Sequence, residues 1–392
     1  MKILVIAPTP FFSDRGTHIR ILEESLALEK LGHKITIATY HIGKNIGDFV
    51  ETKIDVRRIR RLLFWYKKLE AGPDWQKIIL DMMLIRKVFY LARTQKPDVI
   101  HAHLHEGALI GWIVTKLLFW RKIALVMDFH GSLTKEMVSH GYLGASFMKR
   151  TFRFVEKTIN NLGDFAITSS WENSEHIKLI RKDKKVETVL DGVNLGYYKN
   201  LPSKTELRKK LELPQEKVIF SYTGALIPNK GIGYLLNAII AAAAATPKAY
   251  FIIGGFPVEE ISKFITLNCL SDQVRLINPL NYFELPEILT ASDVGIDPKD
   301  SATGQASGKI LQYMGAGLPV VCFDRKNNRE YVGEGAFYGT EVSADSIAAG
   351  ILYFSDKPEE IARRGRYNQT RAESFSWEKS ARTIEGIYKK IK

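Results

Sequence analysis

Cysteine is almost missing from this 392-residue chain; the two present, Cys269 and Cys322, supply neither a disulfide framework nor a thiolate metal site. Such scarcity fits a reducing compartment. No apolar run reaches the roughly 18 residues that a membrane-crossing helix needs. The nearest, residues 107–120, is broken by Thr115 and Lys116. The opening MKILVIAPTP has too short an apolar part for a secretion signal and reads as a first strand. Two nucleotide-binding fingerprints are missing as well. No G-x-G-x-x-G follows the first strand, and the glycine-rich segment before Lys309 is not a P-loop. Gly304 and Gly308 enclose three residues where a P-loop has four, and Ile310 stands where Ser or Thr would follow the lysine.

Acidic residues are the minority among the charges, 43 against 56 Lys and Arg, for a net charge of +13. The excess is concentrated in residues 1–196, which hold 31 basic and 21 acidic side chains. A basic half calls for an anionic partner surface, lipid or nucleic acid. Two clusters there mix cations with aromatics: RRIRRLLFWYKK at 57–68 and KLLFWRK at 116–122. Cations beside aromatic rings suit anionic headgroups and the bilayer interface. No nucleic-acid-binding motif accompanies them, so the expected partner is a membrane surface and not nucleic acid. Arg57, Arg58, Arg60, Arg61, Trp65 and Trp120 are the expected membrane contacts.

The length predicts two domains, and a strand–helix alternation indeed runs twice. A strand at 3–7, a loop containing Gly16, a helix at 17–31 and a strand at 34–40 make a Rossmann-type start. The pattern restarts with a strand at 218–223. A strand at 98–102 puts His101, His103 and His105 on one side of an extended segment. No further histidine or carboxylate stands at a matching spacing, so no metal site is expected. Residues 301–324, SATGQASGKILQYMGAGLPVVCFD, read as loop, helix, tight turn and buried strand. Ser307 is the expected N-cap and Lys309 lies in the first turn. Ile310, Leu311 and Met314 form the apolar face, Gly315 and Gly317 end the helix, and 318–323 suit a parallel core strand. Unpaired N–H groups at a helix start, next to an early lysine, suit a diphosphate.

The stretch KILQYMGAGLPVVCFD resembles the donor-nucleotide segment of the family-four glycosyltransferases, retaining sugar transferases of the GT-B fold. Other segments resemble the same family in the expected order. PDVIHAHLHEGALIGW (97–112) and ALVMDFH (124–130) resemble its acceptor-side strands. DFAITSSWENSEHI (164–177) resembles the last strand of its first domain. GALIPNKGIGYLLNAI (224–239) resembles its Gly-Arg-Leu-x-x-x-Lys-Gly segment, and FSWEKSARTIEGIYKKI (375–391) its closing helix. The resemblance implies an α/β GT-B architecture, two Rossmann-like domains facing a central cleft. Residues 1–196 would form the acceptor- and membrane-facing domain and 197–374 the nucleotide-sugar domain. Residues 375–392 would be a helix packing back on the first.

What the resemblance implies chemically is a metal-independent, retaining hexosyltransferase without a cofactor. It would move sugar from a UDP- or GDP-sugar to a glycan or lipid-linked acceptor. The location implied is cytoplasmic, peripheral at the inner face of the cell membrane. Lys230 and Lys309 would neutralise the leaving diphosphate and His130 would orient the acceptor hydroxyl. Gly16, Gly224, Ser307, Gly308 and Gln312 would complete the donor site; His103 and Gly131 would join His130 on the acceptor side. Three positions depart from the family pattern. Ala225 replaces the arginine of Gly-Arg-Leu, and Gly304 and Gln312 replace the pair of glutamates seven residues apart. Gln312 still hydrogen-bonds a ribose diol but carries no charge. The departures leave three readings open: an active branch relying on Lys309 and Ser307, a non-catalytic binding or scaffold protein on the same frame, and a sugar-nucleotide epimerase.

Overall fold

A computed structural model describes every residue except 63–64, 67–73, 140–141, 145, 183–184 and 301–306. Part of the first basic-aromatic cluster, and the Gly304 and Gln305 positions, therefore lie outside the described residues. Two compact units result. The first comprises Met1–Asp191 with Trp377–Lys392; over the described residues, the second spans 192–300 and 307–376. The division falls five residues before the expected 196/197 boundary. Its cause is local: the Val193 amide donates to the Phe375 carbonyl at 2.8 Å, which draws both crossing segments into the second unit.

Unit 1 runs β1 (Lys2–Ala7), α1 (Gly16–Lys30), β2 (Lys34–Thr39), β3 (Asp55–Arg58), α2 (Trp75–Gln95), β4 (Val99–His103) and α3 (Leu104–Leu117). It continues with β5 (Ala124–Phe129), α4 (Leu133–Ser139), α5 (Ser146–Asn160), β6 (Phe165–Thr168), α6 (Trp171–Ile180) and β7 (Val186–Thr188). The seven strands are parallel, in the order β3-β2-β1-β4-β5-β6-β7. The central strands β1, β4 and β5 are buried along nearly their whole length and mainly apolar, as a sheet covered on both faces requires, with His101, His103 and Asp128 as the buried polar exceptions. Right-handed crossovers put α1 on one face and α2, α3 and α5 on the other. On the first face the closing helix of the chain packs along α1, burying Ile384, Ile387 and Tyr388.

Unit 2 repeats the plan with β8 (Val218–Ala225), β9 (Ala249–Phe256), β10 (Val274–Ile277), β11 (Val294–Asp297), β12 (Val320–Phe323) and β13 (Ala336–Gly339). Their order is β10-β9-β8-β11-β12-β13, again parallel. Residues 307–324 follow their sequence pattern. A helix spans Gly308–Gly315, Gly317 turns at φ +71°, and the strand begins at Val320, after Pro319, which has no N–H to give a ladder. In each unit the strand order reverses next to the first strand, between β1 and β4 and between β8 and β11. Such switch points open a crevice at the strands' carboxyl ends, where α/β sheets bind ligands.

A half-buried acid fastens α2 to the sheet. The Tyr40 hydroxyl donates to Asp81 Oδ1 at 2.6 Å. Burial pushes the Asp81 carboxyl up to about 7, more than the Tyr40 hydrogen bond holds it down. Its folded value lies above its unfolded one, so its stabilisation is full below about pH 4 and fades as pH rises toward 7. Asp81→Asn removes this term. The melting-temperature difference, variant minus unchanged protein, should therefore grow more positive between pH 4 and 7 in thermal scans; a flat difference contradicts the assignment.

Candidate active site

Unit 1 gathers its polar residues at the carboxyl ends of β4 and β5. His101 and His103 alternate on β4, Asp128 is the last residue but one of β5, and His130 directly follows the strand. His105 does not join them, contrary to the extended reading. The chain turns into α3 at Leu104, with φ +65°, and His105 packs against Phe129, 3.9 Å from Glu156. Sequence spacing showed no partner for the histidines because the partners come from far along the chain. Arg20 and Glu24, one turn apart on α1, point into the same cluster. Among the described residues, Glu24, His101, His103 and Asp128 have ligand atoms within 4.8 Å of one another, a grouping the sequence expectation missed.

Arg20 supplies the positive charge inside that grouping. Its Nε donates to Asp128 Oδ2 at 2.8 Å, Nη2 to Asp128 Oδ1 at 3.2 Å, and Nη1 to Asp191 Oδ1 at 2.8 Å. Burial works against the Asp128 charge, but the Arg20 guanidinium and the imidazoles of His130 and His103 overcome it and hold the carboxyl well below its usual range. Burial pushes His103 down to about 4 despite Asp128, so it is neutral at pH 7. His103 Nδ1 lies 3.1 Å from Asp128 Oδ2 and 3.1 Å from His130 Nε2. A carboxylate only accepts, so that Nδ1 carries the ring's proton. His130 Nε2 is 3.6 Å from the same carboxylate oxygen, and the Ser169 hydroxyl donates to the His130 carbonyl at 3.2 Å. The imidazole of His130 thus turns its Nε2 inward to this network. On the far side, His101 pairs with the Tyr388 hydroxyl and faces Glu24 at 3.3 Å. Burial, reinforced by Asp128 and Asp191 and only partly opposed by Arg20, holds Glu24 well above the carboxylate range, as a neutral acid.

Unit 2 brings Lys309 and the Lys230 loop to one place, the end of β11. Lys309 is 14% exposed on its side chain; its Nζ sits 3.5 Å from Asp297 Oδ1 and 3.9 Å from the centre of the Tyr222 ring. Gly224 lies beside it with φ +138°, a conformation suited only to glycine. Gly231, next to Lys230, has φ +77°, and a methyl group there would fall 1.9 Å from the Pro298 carbonyl oxygen. One lysine therefore rests on Asp297 while the loop of the other abuts Pro298. The Tyr313 hydroxyl, one turn beyond Lys309, accepts from the Thr223 amide at 3.1 Å and donates to the Ile296 carbonyl at 3.2 Å, pinning the helix across β8 and β11. Ser307 caps the helix with extended backbone alone; its hydroxyl makes no capping bond. Gln312 is 7% exposed and its Oε1 accepts from the Tyr198 hydroxyl at 2.9 Å.

Gly16 is the first residue of α1, and no atom would lie within 4 Å of a side chain there. Gly131 follows His130 and is buried; Trp65 and Trp120 are exposed, with Trp65 Nε1 donating to Gln76 at 2.9 Å. Of the arginine cluster, Arg57 pairs with Asp55 and Arg58 donates to the Lys44 carbonyl at 2.7 Å, while Arg60 and Arg61 are exposed. Two stability outcomes follow for unit 1. Arg20→Met leaves two carboxylates facing a buried void and should cost about 3–5 kcal/mol. Glu24→Gln keeps shape and neutrality and should change stability by less than about 1 kcal/mol. Denaturant unfolding measures both; equal losses would contradict the charge assignment.

Known proteins place this arrangement. Residues 203–371 match the family model for glycosyl transferases group 1, and residues 15–197 match that for glycosyltransferase family 4. The D-inositol 3-phosphate glycosyltransferase of Streptomyces scabiei is 25% identical over 314 residues, covering 74% of this chain and 67% of that protein. The protein of the same name from Corynebacterium glutamicum is 23% identical over 401 residues, covering 95% and 91%. Among solved structures, sucrose-phosphate synthase from Thermosynechococcus elongatus superposes with a TM-score of 0.79 at 18% identity, covering 100% of this chain and 98% of that one. Anabaena HepE in complex with UDP-glucose gives 0.77 at 19%, with full coverage of both chains. With one family model on each unit and the same two-sheet architecture in these structures, the chain belongs to the family-four glycosyltransferases of the GT-B fold.

Proposed function

We propose that the enzyme transfers a sugar, with retention, from a nucleotide diphosphate donor to a glycan or lipid-linked acceptor held at a membrane surface. The observation that carries the reading is the cationic end of β11 in unit 2. Lys309 stands there at a helix start, with the Lys230 loop against the neighbouring residue, at the sheet's switch point. Anions are favoured there by ammonium charge and by first-turn N–H groups, those of Gly308 and Lys309 foremost. HepE, whose structures were solved with UDP and with UDP-glucose, supports a nucleotide-sugar donor.

In this reading the bond from the anomeric carbon to the diphosphate oxygen breaks and one to the acceptor hydroxyl forms on the same face. The acceptor's proton passes to the departing phosphate, whose charge Lys230 and Lys309 neutralise. His130 orients the acceptor hydroxyl, with His103 and Gly131 beside it. Gln312 donates to the ribose through its amide nitrogen, because Tyr198 already occupies its oxygen. The room at Gly16 serves a ligand, since nothing in the protein requires glycine there. Ala225 in place of arginine leaves the diphosphate to point charges, without a planar guanidinium.

The test is thermal shift with UDP, GDP and ADP in turn. One of them should raise the melting temperature, and Lys230→Ala should weaken that nucleotide by about 10- to 100-fold, as loss of one charged contact implies. No shift with any nucleotide, or an unaltered affinity in Lys230→Ala, would sink the assignment.

A further inference from the structure

Helix α5 is built the wrong way round for a helix that only packs against a sheet. Its inner side buries Glu156, Ile159 and Asn160. Its outer side carries Phe147, 78% exposed, and Phe154, 72% exposed, two turns apart on one ridge. Arg150, Arg153 and Lys157 flank that ridge and are exposed. Isolated exposed hydrophobics need no explanation, but an aromatic ridge edged by cations does.

The neighbouring helices on the same face of the sheet share the pattern. α2 turns Trp75, Ile78 and Met82 outward, at 67%, 63% and 56% exposure, in a single helical stripe. α3, packed between α2 and α5, exposes Leu109 and Lys116. Across the three helices nine Lys and Arg face three carboxylates, and none of the three acids is exposed: Asp81 and Glu106 are half-buried and Glu156 is buried. The surface of these three helices is thus apolar at its ridges, cationic between them, and free of exposed acid, while Glu172 and Glu175 on α6 beside α5 are exposed.

We propose that the face formed by α2, α3 and α5 lies on an anionic lipid bilayer, with Phe147 and Phe154 as its inserted anchors. Charge complementarity selects the occupant, because rings that enter the interface beside cations that meet headgroups are what an acidic membrane rewards. This rests on the reading above that the acceptor is held at a membrane, and it names the contact surface, which the sequence placed at Arg57, Arg58, Arg60, Arg61, Trp65 and Trp120 instead. The same helix holds the acceptor side in place. Glu156, on the inner side of α5, accepts from the Leu133 amide at 2.9 Å and from the Thr134 amide and hydroxyl at 3.2 and 2.5 Å. Those residues begin α4, directly after His130, Gly131 and Ser132. A lipid-linked acceptor reaching up from the bilayer would meet His130 without the enzyme leaving the surface.

Flotation of the full chain with vesicles tests this. The vesicles are phosphatidylcholine alone, or phosphatidylcholine with phosphatidylglycerol. Binding is expected only with phosphatidylglycerol, should weaken as salt rises, and should fall at least tenfold (~10-fold or more) in the double variant Phe147→Ser, Phe154→Ser. Both side chains face solvent, so the variant keeps its fold, and an unchanged nucleotide-induced melting shift verifies that. If the double variant floats like the unchanged protein while alanines at Arg57, Arg58, Arg60 and Arg61 abolish binding, the face is wrong and the membrane reading survives. If no vesicle is bound at all, both fall, whereas the donor assignment stands or falls on the nucleotide shift. Self-association in sedimentation, lost in the double variant without vesicle binding, would assign the ridge to a second copy of the chain and overturn the proposal.

Discussion

A buried guanidinium has to find its partners inside the protein, and Arg20 is 2% exposed. Its planar fork matches one carboxylate in two-point fashion and reaches a second with the remaining nitrogen. Asp128 and Asp191 are those partners, so one residue of α1 locks the end of β5 to the segment leaving β7. Everything at the carboxyl ends of β4 and β5 depends on this lock. With Asp128 kept ionised, His103 has a fixed acceptor for its Nδ1 proton, and the His130 ring is held between the two. The cost of burying the pair is recovered only where its partners are in place, and the three hydrogen bonds of the Arg20 fork to Asp128 and Asp191 meet that condition.

Unit 2 solves a related problem with less. A lysine is a compact charge on a flexible stem, and Lys309 is steadied by one carboxylate below and one aromatic face beside it. Small residues do the rest. Gly224 and Gly231 allow backbone to pass where a side chain would collide, and Gly295 lies so close to the Tyr313 ring that a methyl group would stand 2.3 Å from it. The cationic end of β11 is therefore set by close backbone packing. The Ala225 and Gln312 departures sit at its margin: Ala225 only lends its carbonyl to the Tyr222 hydroxyl, and Gln312 is tied down by Tyr198.

The outward ridges of unit 1 raise a different balance. An exposed Phe gives up the roughly 1.5–3 kcal/mol that burial would return. Two on α5 and a stripe on α2 forgo that return on a face whose helices carry nine basic side chains against three acidic ones. Among the described residues no helix is long and apolar enough to cross a membrane.

Most of the architecture was legible in the residues themselves. Apolar strands of four to eight residues, glycine at turns and helix-period segments determine the two parallel sheets, because those patterns act over a few residues and need no distant partner. Residues 307–324 show this well: N-cap position, apolar face, terminating glycines and strand all appear where the pattern puts them, although the Ser307 hydroxyl makes no capping bond. Lys230, Lys309 and His130 likewise stand out as candidates from short segments. Tertiary structure alone decided what surrounds them. Arg20, Glu24 and Asp191 stand 108 to 171 residues from their partners in sequence or belong to other elements, and nothing local in α1 marks a cation destined for the interior. His105 left its sister histidines because one residue, Leu104, turned the strand into a helix. The α5 ridge escaped notice because helical spacing reports that one face is apolar, while only the sheet beneath decides whether that face is turned inward or out.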